Sequence, residues 1–100
     1  MPVYFYANIR VKDEAEYNEY IAHVDEVFEK FAGEYLVVDE SPEVLEGKWE
    51  YTKSVLIKFD SREEFMMWYY SDDYQQILKH RLKGAESDAV LLHGIDDEEE

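Results

Sequence analysis

Between Val44 and Asp88 the chain reads as strand end, tight turn, strand, helix, second helix and strand start, with a punctuating residue at each joint. Gly47 marks the turn. Ser54 to Phe59 alternates as a strand, with Val55, Ile57 and Phe59 on one face and Leu56 and Lys58 on the other. Ser61 with Glu64 has the spacing of a capping box and opens a helix carrying Phe65, Trp68 and Tyr69. Ser71 restarts a helical pattern of Tyr74, Ile77, Leu78, Arg81 and Leu82, Gly84 ends it, and Ala89 to Ile95 reads as the last strand.

The first half supplies the complementary elements. Val3 to Val11 alternates between an apolar face (Val3, Phe5, Ala7, Ile9, Val11) and a polar-aromatic one (Tyr4, Tyr6, Asn8, Arg10). Asp13 and Glu16 have capping-box spacing and open a helix whose stripe is Tyr17, Tyr20, Ile21, Val24, Val27, Phe28 and Phe31. Gly33 is expected to stop it in a left-handed conformation. Tyr35 to Val38 is strand-like, and Val44-Leu45 is expected to extend or resume that strand after Ser41-Pro42.

The order is therefore β-α-β-β-α-β. That order predicts an α+β, ferredoxin-like antiparallel sheet with its helices on one face. Tyr4, Tyr6, Leu56 and Leu91 are expected on the other face, which is too apolar to stay bare, so a homodimer covering it is expected. His93 is expected on that outer face, with Val90 and Leu92 turned to the helices.

Residues 1–95 are expected to form one domain, a size that hides roughly two-thirds of the unfolded chain's surface. Nine tyrosines place many large side chains with a polar tip, which suits an interface or a lined cavity. The chain has no cysteine, which excludes disulfides, thiolate nucleophiles and Cys-based metal sites. The formal charge is -15; residues 96–100 supply five of those units, leaving -10 on residues 1–95. Such a balance, with no basic stripe, argues against nucleic acid as a partner. The run Asp96 to Glu100 is expected to be a disordered acidic tail. No apolar run approaches the ~18 residues of a membrane span, and no leader pattern precedes the first strand, so a cytoplasmic protein is expected.

The chain resembles the bacterial family known as domain of unknown function 1330, within the dimeric α/β-barrel superfamily, over about residues 2 to 95. The resemblance rests on Val3 to Val11 leading to Asp13, Tyr20, the run Ala32 to Val37, Glu43 to Trp49, Phe59-Asp60-Ser61, Trp68 to Gln75, Arg81 and Ser87-Asp88. The chain departs from the family's usual pattern at Lys53 (arginine), Asp60 and Asp72 (proline) and His93 (glutamate). The resemblance implies a dimeric α/β barrel. The superfamily includes cofactor-free monooxygenases, isomerases and haem proteins, so it selects no reaction.

Arg81 is the first candidate for chemistry, because it shares the helical stripe of Tyr74, Ile77 and Leu78 and so lies at the core's edge, where a guanidinium needs a counter-charge. Glu46 and Asp88 are its expected carboxylate partners; a substrate carboxylate is the alternative. Tyr17, Tyr20, Trp68, Tyr69 and Tyr74 are expected to line a cleft between sheet and helices, with His23 at its border. His23, His80 and His93 share no metal-ligand spacing, so no metal and no cofactor are expected. No phosphate loop or nucleophile elbow is present. Two readings stand: a protein that binds or transforms a small, flat, anionic molecule without a cofactor, and a dimeric structural or partner-binding module. A haem or metal protein using His23 is a third.

Overall fold

The computed structural model describes residues 1–95; the acidic run at 96–100 lies outside the described residues. Four strands and three helices follow in the order β1 (Val3–Val11), α1 (Glu14–Phe28), β2 (Glu34–Asp39), β3 (Lys53–Phe59), α2 (Arg62–Tyr69), α3 (Asp72–Gly84) and β4 (Ala85–His93). The strands form one antiparallel sheet in the order β2-β3-β1-β4. This is the ferredoxin-like arrangement that the element order predicts.

Each helix begins on the residue that its sequence marks. Asp13, Ser61 and Ser71 accept from the backbone N–H of Glu16, Glu64 and Tyr74 at 3.2, 3.2 and 3.1 Å. The inward face of β1 (Val3, Phe5, Ala7, Ile9) is buried against Tyr17, Tyr20, Val24, Val27 and Phe28 of α1 and against Phe65, Trp68, Tyr74, Ile77 and Leu78 of α2 and α3. Trp68 and Tyr74 sit at its centre, fully buried, with ring centroids 4.2 Å apart.

Helices α1 and α3 run antiparallel and are tied along their length. The backbone N–H groups of Lys12 and Asp13 donate to Gly84 O at 2.8 and 2.9 Å. His80 Nδ1 lies 2.8 Å from Glu16 Oε1, the hydroxyls of Tyr20 and Tyr74 are 2.8 Å apart, and Lys30 Nζ lies 3.0 Å from Asp73.

Four expectations need correction. Helix α1 ends at Phe28, where the chain tightens into hydrogen bonds from Lys30 to Val27 and Phe31 to Phe28. Gly33 has no positive φ; it is a glycine for lack of room, since a Cβ there would lie 2.6–2.7 Å from the Phe28 and Phe59 rings. Val44 and Leu45 form no strand and lie exposed in the irregular connection from β2 to β3. Strand β4 starts directly out of α3 at Ala85, and its register pairs Leu91 with Phe5 and His93 with Val3, on the helix side. Val90 and Leu92 pair with Tyr6 and Tyr4 and face outward, reversing the expected phase.

Candidate functional site

The alternation of β1 and β3 places Ala7, Ile9, Lys53, Val55 and Ile57 on the helix-facing side of the sheet, and α1 crosses above them with Tyr17, Tyr20 and Val24 facing down. At the edge, a bulge at Leu36 turns both Tyr35 and Val38 inward, opposite Ile57 and Val55. Sheet and helix stand apart here and enclose a cavity of about 360 Å³, to which α3 contributes Arg81. Ile21, Asp25, Tyr35 and Val38 line it and are exposed, so they form its rim.

Arg81 is 3% exposed. Its Nη1 donates to Ser87 Oγ at 2.7 Å, its Cζ lies 5.6 Å from the centre of the Tyr20 ring, and its Nε is buried without a partner. Among the described residues no carboxylate lies within ion-pair distance of it, which overturns the expected pairing. Asp88 faces outward and accepts from the Tyr51 hydroxyl. Glu46 is exposed in the connection to β3 and borders a separate hollow with Tyr6, Val37, Trp49 and Leu56, on the sheet's other face. Helical spacing puts Arg81 at the core's edge; the structure buries it, and spacing could not say which segment meets it.

Burial works against the charge on Arg81, yet Tyr74 and Tyr20 outweigh that and hold its pKa above the ordinary guanidinium value. Burial, followed by Tyr74, pushes the Tyr20 hydroxyl well above the ordinary tyrosine value; burial likewise raises Tyr74. Tyr35 is raised by partial burial and by Asp25, whose Oδ1 accepts from its hydroxyl at 3.3 Å. These tyrosines are neutral donors at physiological pH and poor general bases.

Of the residues singled out in the sequence, Tyr17, Tyr20 and Arg81 meet at the cavity. Trp68, Tyr69 and Tyr74 belong to the aromatic core under α2 and α3, and Tyr74 adjoins the cavity wall through its hydrogen bond to Tyr20 and its interaction with Arg81. His23 is exposed on α1 and does not line it. Lys53 was missed. Its Nζ donates to the Tyr17 hydroxyl at 3.1 Å and lies 5.4 Å from the centre of that ring. The signal was its phase, since Lys53 falls two residues before Val55 on the buried face. Among the described residues no three His, Asp or Glu side chains gather as metal ligands, and no helix is long and apolar enough to cross a membrane.

Fold and cavity together define a ferredoxin-like α+β protein with an apolar pocket between sheet and helix. The chain belongs to the family described as domain of unknown function (DUF1330), whose profile matches residues 2–95. None of the curated proteins matches it. Among solved structures, it is similar to a protein of unknown function from Rhodopseudomonas palustris (17% identity, 95% of this chain and 83% of that one, TM-score 0.78). It is also similar to a dimeric ferredoxin-like protein of unknown function from Jannaschia sp. CCS1 (12% identity, 94% and 100%, TM-score 0.78). A third is SnoaB from Streptomyces nogalater, a cofactor-independent oxygenase (12% identity, 95% and 94%, TM-score 0.67).

Proposed function

We propose that this protein binds a small, flat, anionic molecule, such as a carboxylated aromatic, in the cavity between β1, β3 and α1, with Arg81 as its anchor. One observation carries the reading: a guanidinium that is 3% exposed lines a cavity of about 360 Å³ and has no carboxylate partner among the described residues. Desolvating an unpaired cation costs several kcal/mol, roughly, unless something compensates, and a ligand carboxylate on the guanidinium fork is the natural compensation. The volume falls within the ~300–1,000 Å³ of small-molecule sites. Apart from Arg81, Lys53 and the rim residue Asp25, the walls are apolar and aromatic, with Phe5, Ala7, Ile9, Tyr17, Tyr20 and Ile57 among them. Such walls suit a flat ring.

The chain's charge of -15 repels anions at long range, so any preference for them must come from groups inside the cavity. Transformation of the ligand without a cofactor is part of this reading, as the name of the Streptomyces nogalater protein states for that protein. A thermal-shift panel tests it. Benzoate-type acids are expected to raise Tm, and at about 100-fold excess over Kd to add about 2.7 kcal/mol. A panel in which only neutral or cationic compounds raise Tm contradicts the anchor.

The second reading, a dimeric structural module of the cytoplasm, draws on the outer face. Tyr4, Tyr6, Val37, Leu56, Val90 and Leu92 share it, and Val37, Val90 and Leu92 are 42–52% exposed. Self-association through that face is compatible with a filled cavity, and the Jannaschia sp. CCS1 neighbour, described as dimeric, supports it.

A further inference from the structure

The cavity holds two cations, not one, and from their separate mountings we propose that its ligand carries two anionic groups: a flat dianion of the aromatic dicarboxylate or carboxy-phenolate class, one end on Arg81 and the other on Lys53. This rests on the anion-site reading above and narrows it.

The sheet register sets the spacing. Ile9 pairs with Lys53 on β3 and with Ser87 on β4, so these three residues form one row across the helix-facing side. Neighbouring strands lie ~4.8 Å apart, which puts the backbones of Lys53 and Ser87 about 10 Å from each other. Arg81 is held at the β4 end of that row by its 2.7 Å bond to Ser87 Oγ, and Lys53 grows from the β3 end. Above the row each cation rides its own ring, Arg81 on Tyr20 and Lys53 on Tyr17, and those ring centres are 6.0 Å apart. The rings hold the cations at two stations rather than letting them converge on one point.

Both stations have donors to spare. The Lys53 ammonium has three N–H groups and one bond, to the Tyr17 hydroxyl. The buried Arg81 Nε has none. No carboxylate lies within ion-pair distance of either among the described residues. Asp25, the acid that lines the cavity, is exposed at the rim and accepts from Tyr35 instead. A single carboxylate on Arg81 leaves Lys53, half-buried, without a counter-charge; a second anionic group across a ring's width supplies it.

Titration calorimetry of the native protein with benzoate, isophthalate and terephthalate at about pH 7.5, where all three are ionised, tests this. One of the dicarboxylates is expected to bind at least about tenfold more tightly than benzoate, well above the twofold statistical advantage of two identical ends. In Lys53→Met the ratio of dicarboxylate to benzoate affinity, both measured on the variant, is expected to fall to about the twofold statistical factor. Equal affinity for all three acids, or a dicarboxylate advantage that survives Lys53→Met, overturns the dianion and leaves the Arg81 anion site standing. Absence of binding by all three overturns both.

Discussion

Arg81 concentrates the tension in this molecule, since its burial is costly to the fold and nothing among the described residues repays it with a full opposite charge. Replacing such a group by an apolar residue of similar length is often neutral or stabilising. Arg81→Met is therefore expected to unfold in urea within about 1 kcal/mol of native, or later, while losing the Tm increase from benzoate. A loss of about 3 kcal/mol or more assigns the cation to structure instead. Tyr20 gives a second test at this scale. Its folded pKa is raised well above the ordinary value, so above about pH 10 the unfolded chain releases a proton that the folded chain keeps. Stability is then expected to fall with rising pH, by up to about 1.4 kcal/mol per pH unit for each such tyrosine. Tyr20→Phe is expected to flatten that slope in urea melts between about pH 9 and 12; an unchanged slope contradicts the burial argument. That Arg81 lies out of bulk water was legible from its spacing to Tyr74, Ile77 and Leu78, though its full burial was not. Its want of a carboxylate was not, because a helical stripe identifies a buried face but not the loops that reach it.

At the scale of elements, the α1–α3 contact depends on a glycine for a reason that helix propensity hides. Alanine in place of a helical glycine ordinarily adds up to ~1 kcal/mol. At Gly84 the added Cβ would lie 2.6 Å from the backbone N of Tyr17 and 3.0 Å from Asp13 O, neither of which can rotate away. Gly84→Ala is expected to destabilise by about 1–3 kcal/mol and to disturb the cavity wall at Tyr17; a rise in Tm contradicts this packing. Ser71→Ala is expected to cost about 1 kcal/mol, since Ser71 Oγ both accepts from Tyr74 N–H and donates to Trp68 O where α2 passes into α3. The helix starts were legible because Asp13, Ser61 and Ser71 act locally. The phase of β4 was not, because Ala89-Val90-Leu91-Leu92 carries no alternation, and the phase comes from pairing with β1 out of an abrupt start at Ala85.

The whole molecule is a slab, with Cα extents of 45 × 38 × 15 Å, about the thickness of one sheet and one helix layer, and among the described residues no helix covers the outer sheet face, which the β2–β3 connection borders at Tyr6 and Leu56. Light scattering at micromolar concentration is expected to give twice the 12.0 kDa chain mass, and Leu56→Asp, which puts a carboxylate amid that face, to return the mass to 12.0 kDa. A native mass of 12.0 kDa contradicts the dimer. The topology was legible because the order of periodicities, 2 then 3.6 and back, admits few packings. The cavity was legible only in part: Tyr17 and Tyr20 follow from the α1 stripe, whereas Tyr35 faces inward beside a bulge that no local pattern announces. The central claim, that Arg81 anchors an anionic ligand, is tested most directly by a crystal structure with 4-bromobenzoate, in which the bromine's anomalous signal fixes the ring's direction. The carboxylate is expected on the Arg81 guanidinium, with the ring between Tyr20 and the sheet; a ring bound elsewhere, or bound in the cavity with its carboxylate turned away from Arg81, would contradict the claim.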